Sequence, residues 1–507
     1  MNSEPHSTDA EPEQLVSEIL THFQAGGAYP RNHVERLTKL AISEDRQVAE
    51  RASECFFGSL VETLADSFEP AAVSLCNQAC AQLIQVCRNT ERGRPLDEKL
   101  REFGLRTEAD VLARAEDLRT SWEHSHPWLS GVDHTEQSGP ERFQPGRVMV
   151  LSRVTLGADV AITSVIIERL KTTFPSAEIV LVGGRKASEL FGGDRRLAFK
   201  EINYPRAATA LDRLLAWLPL VDCVRELTEG VERSLIIDPD SRLSQLGLLP
   251  LSSGVAGKAR ADGADYLFFP SREYRHDSMA SLSELTSAWL DEVLGPKLPA
   301  YPVVSLTPAD VDTARSLAGR IRRERHPVIA INFGVGGNPS KRVGDGFERQ
   351  LVSSLLRDGA TVFLDKGAGA GEAKRAEAVF EFAKRSSNDR LRMIELDEES
   401  LPRLLGEDRI EAELAVWSGR IGLLAALIGE SDLYIGYDSA GQHIAAALGV
   451  PCIDVFAGFS SRRMLDRWRP TGKAETRVVV VEQSMTEDEV LSETLGRARE
   501  LLDQCTG

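Results

Sequence analysis

The chain of 507 residues has no apolar run that approaches the ~20 residues of a membrane-spanning helix. Its start, MNSEPHSTDAEPEQ, lacks the basic and apolar regions of a secretory signal peptide. An excess of basic residues is missing too, because 60 Lys and Arg stand against 77 Asp and Glu and give a net charge of -17. Nucleic-acid phosphates attract a basic face, so this balance argues against such a partner. These absences predict a cytoplasmic protein.

The seven cysteines include no CxxC pair, and an odd number leaves at least one unpaired in any disulfide scheme. Reduced thiols are therefore predicted. Cys76, Cys80 and Cys87 stand at helical spacing, which favours a small apolar core role over metal binding. No metal site is expected.

The length exceeds the ~250–300 residues at which a single core stops growing, so several domains are predicted. Residues 1–12 are polar and are expected to be a disordered tail. Residues 13–123 alternate apolar and charged positions at helical period, without a convincing strand, and predict an all-helical module. Residues 124–146 concentrate Pro, Gly and Ser, which indicates a linker.

From Arg147 onward, short β-rich runs alternate with helical patterns, as is typical of parallel sheets with both faces covered. Ten strands are too many for one comfortable sheet, and the proline-rich stretch 296–311 is the natural break. The sequence thus predicts two Rossmann-like domains, 147–300 and 301–507. The ten strand candidates are RVMVLS, EIVLVG, SLIIDPD, DYLFFP, VIAINFG, TVFLDKG, MIELD, LYIGYD, CIDVFAG and RVVVVE.

Ligands of open parallel sheets bind beyond the carboxyl ends of the strands, so the loops there are the candidate sites. In IGYDSAGQHIAAALGVP, Asp438 and Ser439 lie between a strand and a helix whose N-terminus could bind a phosphate. The alternative is that both residues simply cap the helix. His443 is either a packed histidine or a donor to a ligand oxygen.

The loop GVGGNPSKRVGDGFE supplies glycines, then Ser340, Lys341 and Arg342, and could hold a diphosphate although it is not a Walker A loop. Its alternative is a flexible loop with solvated cations. In DKGAGAGEAKRAEAV, Glu372 could bond ribose hydroxyls or complement the helix dipole.

Two loops of the first predicted domain carry acids. Asp159, in RVTLGADVAIT, is a general base if it reaches an acceptor hydroxyl, or otherwise a helix cap. In DPDSRLSQLGLLP, Asp238 and Arg242 either touch an acceptor or pair with charged neighbours at the domain edge.

Together these loops resemble glycosyltransferase family 9, the ADP-heptose:lipopolysaccharide heptosyltransferases and their relatives. RVTLGADVAITSVIIERLKTTFP resembles that family's first loop and helix through Arg153, Asp159 and Thr163. GVGGNPSKRVG resembles its second-domain loop, and DSAGQHIAAALGVP its signature. The glycines at 157 and 441 each stand one position away from the family pattern.

The resemblance implies a GT-B fold, with two doubly wound Rossmann-like domains facing a cleft, here preceded by the helical module. It also implies an inverting sugar transfer from a nucleoside diphosphate to an acceptor hydroxyl, without a metal. The implied roles are Asp159 as base; Ser340, Lys341, Arg342, Asp438, Ser439, Ala440, Gly441 and His443 around the diphosphate; Glu372 on the ribose; and Arg153, Thr163, Asp238 and Arg242 near the acceptor.

The expected partners are a nucleotide-sugar co-substrate, with an ADP-sugar favoured by the resemblance, and a saccharide or glycolipid acceptor. Such an acceptor implies that the protein is located in the cytoplasm, or at the cytoplasmic face of a bacterial inner membrane. No cofactor is expected. Two alternatives stay open: a non-catalytic sugar-nucleotide-binding or scaffold protein, which the shifted glycines favour, and a sugar-nucleotide epimerase.

Overall fold

The structure is a computed structural model. It describes residues 10–129, 144–252, 264–296 and 300–506, apart from positions 324, 337, 368, 388 and 389. No helix in these ranges is long and apolar enough to cross a membrane.

The N-terminal region is helical throughout its described part, as predicted. Its elements are α1 Glu11–Gln24, α2 Arg31–Leu40, α3 Arg46–Glu54, a π-helical stretch Cys55–Val61, α4 Glu62–Ala65, α5 Pro70–Arg88, α6 Arg94–Glu102 and α7 Glu108–Leu129. Cys76, Cys80 and Cys87 are fully buried on α5, in the core role predicted for them.

Both ends of this region differ from the prediction. Helix α1 starts inside the predicted tail 1–12, of which residues 1–9 lie outside the described residues. Helix α7 continues to Leu129, inside the predicted linker 124–146, and residues 130–143 of that linker again lie outside the described part. A proline removes one backbone donor, and the helix here runs on past Pro127. Local Pro and Ser content was therefore a poor guide to the boundary.

The first sheet is fully parallel, with strand order β3-β2-β1-β4-β5. Its strands are β1 Arg147–Leu151, β2 Glu178–Gly183, β3 Leu197–Glu201, β4 Ser234–Asp238 and β5 Ala264–Phe268. Its helices are α8 Leu156–Ala158, a π-helical stretch Asp159–Thr163, α9 Ser164–Thr173, α10 Arg185–Phe191, α11 Ala210–Leu215, α12 Trp217–Thr228 and α13 Leu282–Leu294, with a 3-10 turn Arg242–Ser244. We call this unit the N-terminal domain.

The second sheet is also fully parallel, with strand order β12-β11-β10-β6-β7-β9-β8, and we call its unit the C-terminal domain. Its strands are β6 Val328–Asn332, β7 Thr361–Asp365, β8 Met393–Asp397, β9 Leu414–Ser418, β10 Leu433–Tyr437, β11 Cys452–Phe456 and β12 Thr476–Val480. Its helices are α14 Pro308–Ile321, α15 Asp345–Arg357, α16 Ala370–Ser386, α17 Leu401–Leu404, α18 Ile421–Gly429, α19 Ala440–Leu448, α20 Arg462–Trp468 and α21 Glu487–Thr506, with a 3-10 turn Pro339–Lys341.

The two-domain α/β prediction is confirmed, but its list of ten strands omitted β3 and β9. Strand β3 is an edge strand whose side chains alternate in burial and end in Lys200 and Glu201, so it lacks a continuous apolar run. Strand β9 is buried but offers only four apolar residues before Ser418. Continuous apolar runs mark central strands best, and these two lacked a long one.

Two of the hydrophobic cores link the units of the chain. One joins helices of the N-terminal region to the face of the first sheet that carries Met149, Leu151 and Val180. Another spans both sheets, because it holds Val148 of β1 and Ala330 of β6 together with Phe68, from the turn between α4 and α5. The helical region is therefore packed on the N-terminal domain rather than held apart from it.

Candidate functional site

The turn between β10 and α19 carries Asp438 and Ser439 at the carboxyl end of an inner strand. The Ser439 N–H donates to Gln442 Oε1 at 2.9 Å, and Gln442 Nε2 donates to Asp438 Oδ1 at 3.1 Å. These bonds order the first turn of α19 and hold the Asp438 carboxylate in place. A helix N-terminus with an ordered turn is suited to bind a phosphate.

Lys341 joins this turn to the loop after β6. Its Nζ donates to Asp438 Oδ2 at 2.5 Å, across 97 positions of sequence. Burial lowers the pKa of Lys341, but the carboxylates of Asp438, Asp66 and Glu62 outweigh burial and raise the pKa above its ordinary value. The ammonium group is therefore charged at neutral pH. Lys341 and Asp438 lie in two loops that the sequence predicted as separate candidate sites, and they form one ion pair.

Ser340 shares the 3-10 turn with Lys341, and its hydroxyl donates to Asn338 Oδ1 at 2.6 Å. Arg342, the third residue predicted for the diphosphate, has a different setting. Its guanidinium donates to Glu348 at 2.8 Å and to Asp345, both on α15. The structure thus brings Lys341 to the Ser439 turn and pairs Arg342 with the helix that follows it.

His443 is buried on the first turns of α19, with 3% of its surface exposed. Burial lowers the pKa of its imidazole to about 4, although Asp438 raises it, so the ring is neutral at pH 7. Its ring lies 6.1 Å from that of Trp468, edge to face. A neutral imidazole has one N–H donor, which suits a hydrogen bond to an oxygen better than a charge contact.

Close packing explains why the two positions that depart from the family pattern, 157 and 441, are occupied by glycine. A Cβ on Gly157 would lie 3.2 Å from His443 Cδ2 and 3.4 Å from the Ser439 carbonyl oxygen, so the N-terminal domain touches the Ser439 turn here. A Cβ on Gly441 would lie 1.9 Å from Tyr434 Oη, inside the C-terminal domain. Ala440, beside it, is part of the contact with Gly157.

Glu372 lies on the first turn of α16 and reaches the loop after β6. A Cβ on Gly334 would lie 3.1 Å from Glu372 Oε1, and one on Gly367 would lie 2.5 Å from Glu372 Cβ. Burial is the main cause that raises the pKa of Asp365 to about 6, and the charge of Glu372 adds to this rise. Glu372 therefore lies at the carboxyl ends of β6 and β7, in the loop system that carries Lys341.

Asp159 is enclosed by donors, with 1% of its surface exposed. Its Oδ2 accepts from the Ser152 hydroxyl at 2.7 Å, and its Oδ1 from the Arg153 N–H at 2.7 Å and the Thr163 hydroxyl at 2.9 Å. Burial raises its pKa to about 6 against these bonds. The carboxylate fixes the loop after β1, and its predicted role as base stays a prediction.

The predicted acceptor residues fall into two groups. Thr163 and Asp238 are fully buried, and Asp238 accepts from the Tyr266 hydroxyl at 2.7 Å. Arg153 donates to the Pro239 carbonyl at 2.8 Å and to Ser271. Arg242 donates to Glu62 of the helical region at 3.2 Å, so its partner comes from outside the domain.

Sequence reasoning missed three residues of this neighbourhood. Asp454 on β11 is fully buried, and neither carboxyl oxygen has a hydrogen-bond partner among the described residues. Burial, and then Asp438, raise the pKa of Asp454 well above the ordinary value of a carboxyl group. The other two are Trp468 and Asp66, because Trp468 Nε1 donates a hydrogen bond to Asp66 Oδ1 at 3.3 Å. Only the apolar pattern around Asp454 hinted at burial, and nothing local marked the other two.

Residues 415–495 match the model of the family described as Glycosyltransferase family 9 (heptosyltransferase). The matched stretch runs from β9 into α21 and includes Asp438, Ser439 and His443. It confirms the resemblance that the motifs predicted. No curated protein matches the chain's sequence.

Three of the solved structures that are similar to this chain are glycosyltransferases. One is a family 9 glycosyl transferase from Veillonella parvula, with 15% identity, a TM-score of 0.49 and coverage of 71% of this chain and 97% of that one. Another is E. coli ADP-heptose lps heptosyltransferase II, with 15% identity, a TM-score of 0.47 and coverage of 71% and 100%. The third is E. coli heptosyltransferase WaaC with ADP, with 15% identity, a TM-score of 0.45 and coverage of 69% and 99%.

Proposed function

We propose that this chain, whose residues 415–495 match glycosyltransferase family 9, is an inverting glycosyltransferase. It moves a heptose-like sugar from a nucleoside diphosphate to a hydroxyl of a saccharide or glycolipid. The observation that carries the proposal is the Lys341–Asp438 pair, which unites the β6 loop with the N-terminus of α19. An ammonium group and a helix N-terminus at one point suit two negatively charged phosphates.

The chemistry follows from the charges. As the bond between the anomeric carbon and the diphosphate breaks, the leaving oxygen gains negative charge, and fixed donors stabilise it because they need no reorganisation. Lys341 would exchange its bond with Asp438 for the diphosphate, while Ser439 and the neutral His443 would donate to phosphate oxygens. Glu372 would accept from ribose hydroxyls. We propose an ADP-sugar as the donor, and a reaction that needs neither a metal nor a cofactor. We also propose that the protein is located in the cytoplasm or at the inner face of a bacterial inner membrane.

A nucleotide-binding experiment tests the diphosphate site. ADP, GDP, UDP and dTDP are each added to the protein, and the melting temperature is followed, since a ligand of the folded state must raise it. We expect the largest rise with ADP, and a loss of at least about tenfold in its affinity in Lys341→Ala, because a charge-assisted bond contributes roughly 1.5–3 kcal/mol.

Lys384→Ala is the matched control, because it removes the same charge from the exposed last turn of α16. That turn lies about 20 Å along the helix from Glu372, at 1.5 Å per residue. The control should bind ADP like the wild type. Equal affinity in both variants would exclude Lys341 from the site, and no response to any of the four nucleotides would exclude the donor class.

A further inference from the structure

The His443 imidazole of the proposed diphosphate site has no hydrogen bond that would fix the direction of its ring. Among the described residues, the structure gives neither ring nitrogen a partner, although only 3% of the surface of His443 is exposed. A ring of this kind can turn about its Cβ–Cγ bond unless its neighbours prevent it. Since the N–H has to point at a phosphate oxygen, packing has to supply the orientation.

Two residues pack against this imidazole. A Cβ on Gly157 would lie 3.2 Å from His443 Cδ2, so the backbone of the N-terminal domain lies close to one edge of the ring. Trp468, the last residue of α20, has its ring centre 6.1 Å from that of the imidazole, with the two planes at 64°. An edge-to-face pair at this distance is favourable and depends on the angle between the rings. Trp468 therefore restricts the plane of the imidazole.

Trp468 is itself held by the helical region. Its Nε1 donates a hydrogen bond to Asp66 Oδ1 at 3.3 Å. Its ring centre lies 6.3 Å from that of Phe68, with the planes at 60°. Both partners belong to the turn between α4 and α5. The tryptophan thus contacts this turn through its N–H and its ring, and it contacts His443 as well.

The turn between α4 and α5 is clamped by α20. Arg463 donates to the Phe68 carbonyl at 3.2 Å and to Glu69 Oε1 at 2.7 Å. The Arg467 guanidinium lies 5.9 Å from the centre of the buried Phe68 ring. Phe68 also has a φ of 55°, a left-handed conformation that is costly for a bulky residue. The tertiary contacts therefore hold this turn against Trp468 in a conformation that it would not adopt alone.

We propose that Trp468 is a positioning residue of the diphosphate site, which rests on the proposed function, and that the turn between α4 and α5 holds it in place. Trp468 fixes the plane of the His443 ring, and the imidazole N–H then meets a phosphate oxygen of the nucleoside diphosphate. Burial lowers the pKa of His443 to about 4, although Asp438 raises it, and Lys341 adds to the fall. The neutral ring has a single N–H, so its direction decides whether the bond forms. The helical region thus acts on donor binding through one side chain.

A double-mutant cycle tests whether Trp468 acts through His443. Binding of ADP to the full-length protein is measured by isothermal titration calorimetry for wild type, Trp468→Leu, His443→Ala and the double variant. We expect each single variant to weaken ADP binding by about three- to tenfold, the range for one neutral hydrogen bond. The double variant should bind ADP no more weakly than His443→Ala, because the effect of Trp468 passes through the imidazole. A purely structural effect of Trp468 would add to that of His443→Ala instead.

Two further variants test the aromatic contact and its support. Trp468→Phe keeps a ring beside the imidazole and removes the N–H that bonds to Asp66, so it should recover most of the affinity that Trp468→Leu loses. Phe68→Ala removes the ring that packs on Trp468, so it should weaken ADP binding by about two- to fivefold. In the His443→Ala background, Phe68→Ala should cause no further loss.

A second aromatic pair of the helical region provides matched controls. The ring of Phe103 lies 6.0 Å from that of Trp217, and Trp217 Nε1 donates to the Pro250 carbonyl at 2.9 Å. Trp217 belongs to the core between the helical region and the first sheet, and none of the described residues assigned to the diphosphate belongs to that core. Trp217→Leu and Phe103→Ala should therefore lower stability and keep wild-type affinity for ADP.

Wild-type ADP affinity in Trp468→Leu, a loss that adds fully to that of His443→Ala, or an equal loss in Trp217→Leu would each overturn the inference. If Trp468→Leu does not fold, Trp468→Met replaces it with the same expectations, because methionine fills irregular gaps without fixing a ring. Unchanged affinity in His443→Ala, together with a loss in Lys341→Ala, would overturn this inference and leave the diphosphate site intact. A wild type that binds no nucleotide would remove the proposed function itself.

Discussion

The buried side chain of Tyr434 packs beneath the Ser439 turn and restricts the residues around it. Its ring is fully buried under the Ser439 turn, and its hydroxyl lies between two glycines. A Cβ on Gly436 would lie 2.3 Å from Tyr434 Oη, and one on Gly441 would lie 1.9 Å from it. A tyrosine enclosed on both sides cannot move away cheaply, so both glycines are required by packing rather than by a ligand.

Gly441→Ala should therefore destabilise the protein by about 1–3 kcal/mol, the usual cost of overpacking a core. Tyr434→Leu removes the ring atoms that this methyl group would meet, Oη at 1.9 Å and Cζ at 2.5 Å, so Gly441→Ala should cost much less in the Tyr434→Leu background. Urea unfolding of the single and double variants measures both effects.

Gly496→Ala is the control, because a Cβ there meets nothing within 4 Å on α21. It should be stabilising by up to about 1 kcal/mol, because alanine is the better helix former. Additive effects of Gly441→Ala and Tyr434→Leu would contradict the collision.

The burial of Asp159 gives a prediction about pH. Its pKa rises from 3.8 in the unfolded chain to about 6 in the folded protein, so the folded state binds the proton more tightly. Its contribution to stability is fully present below about pH 3.8 and is lost as pH rises through about 6. Asp159→Asn removes this dependence. We expect the free energy of unfolding of wild type, relative to the variant, to fall by up to about 3 kcal/mol from about pH 4 to about pH 7. Urea unfolding at both pH values measures it, and a difference independent of pH would contradict the raised pKa.

At the scale of elements, the short helix α20 fastens the two domains together. Arg467 is buried and donates to three carbonyls of a loop in the N-terminal domain, namely those of Arg275 at 2.9 Å, Ser278 at 2.8 Å and Ala280 at 2.7 Å. Its guanidinium also lies 5.9 Å from the centre of the Phe68 ring. One side chain thus connects both domains and the helical region.

Arg467→Met should cost about 3 kcal/mol of unfolding free energy, because it removes three hydrogen bonds that a buried, charged guanidinium donates. Arg462→Met on the same helix is the control. Its side chain is exposed and reaches Glu482 only at 4.0 Å, so its loss should cost less than about 1 kcal/mol. Denaturant unfolding of both variants measures the difference, and equal losses would show that water replaces the Arg467 bonds.

At the scale of the whole molecule, the helical region is part of the core of the N-terminal domain. Leu118 of α7 and Cys76 of α5 lie in one hydrophobic core with Met149, Val180 and Ile236 of the first sheet. Burial of each such side chain contributes roughly 1.5–3 kcal/mol relative to exposure. The helical region therefore stabilises the sheet.

A chain that begins at residue 144 should consequently fail to fold cooperatively, because one sheet face would be exposed to water. We expect it to bind a hydrophobic dye and to lack the cooperative calorimetric transition that we expect of the full protein. A chain that begins at residue 10 keeps every described helix and should melt like the full chain. A soluble, cooperative chain from residue 144 would show that α11 and α12 cover that face alone.

The sequence by itself determined the parallel α/β character, the two domains and the helical region before them. It also determined the loops that carry Asp438, Ser439, His443 and Lys341. These features are local: an apolar run between helical patterns forms a central strand, and a polar turn at its end belongs to the site. Strands β3 and β9 were not predicted, because the apolar run of each is too short.

Only the tertiary structure decided which charged residues meet. It paired Lys341 with Asp438 and Arg342 with Glu348, although the lysine and the arginine are neighbours in sequence. It also enclosed Asp159, and it joined Asp66 of the helical region to Trp468 of the C-terminal domain by a hydrogen bond. The physical reason is that burial and charge pairing depend on contacts between residues far apart in the chain, and local sequence patterns contain no information on such distances.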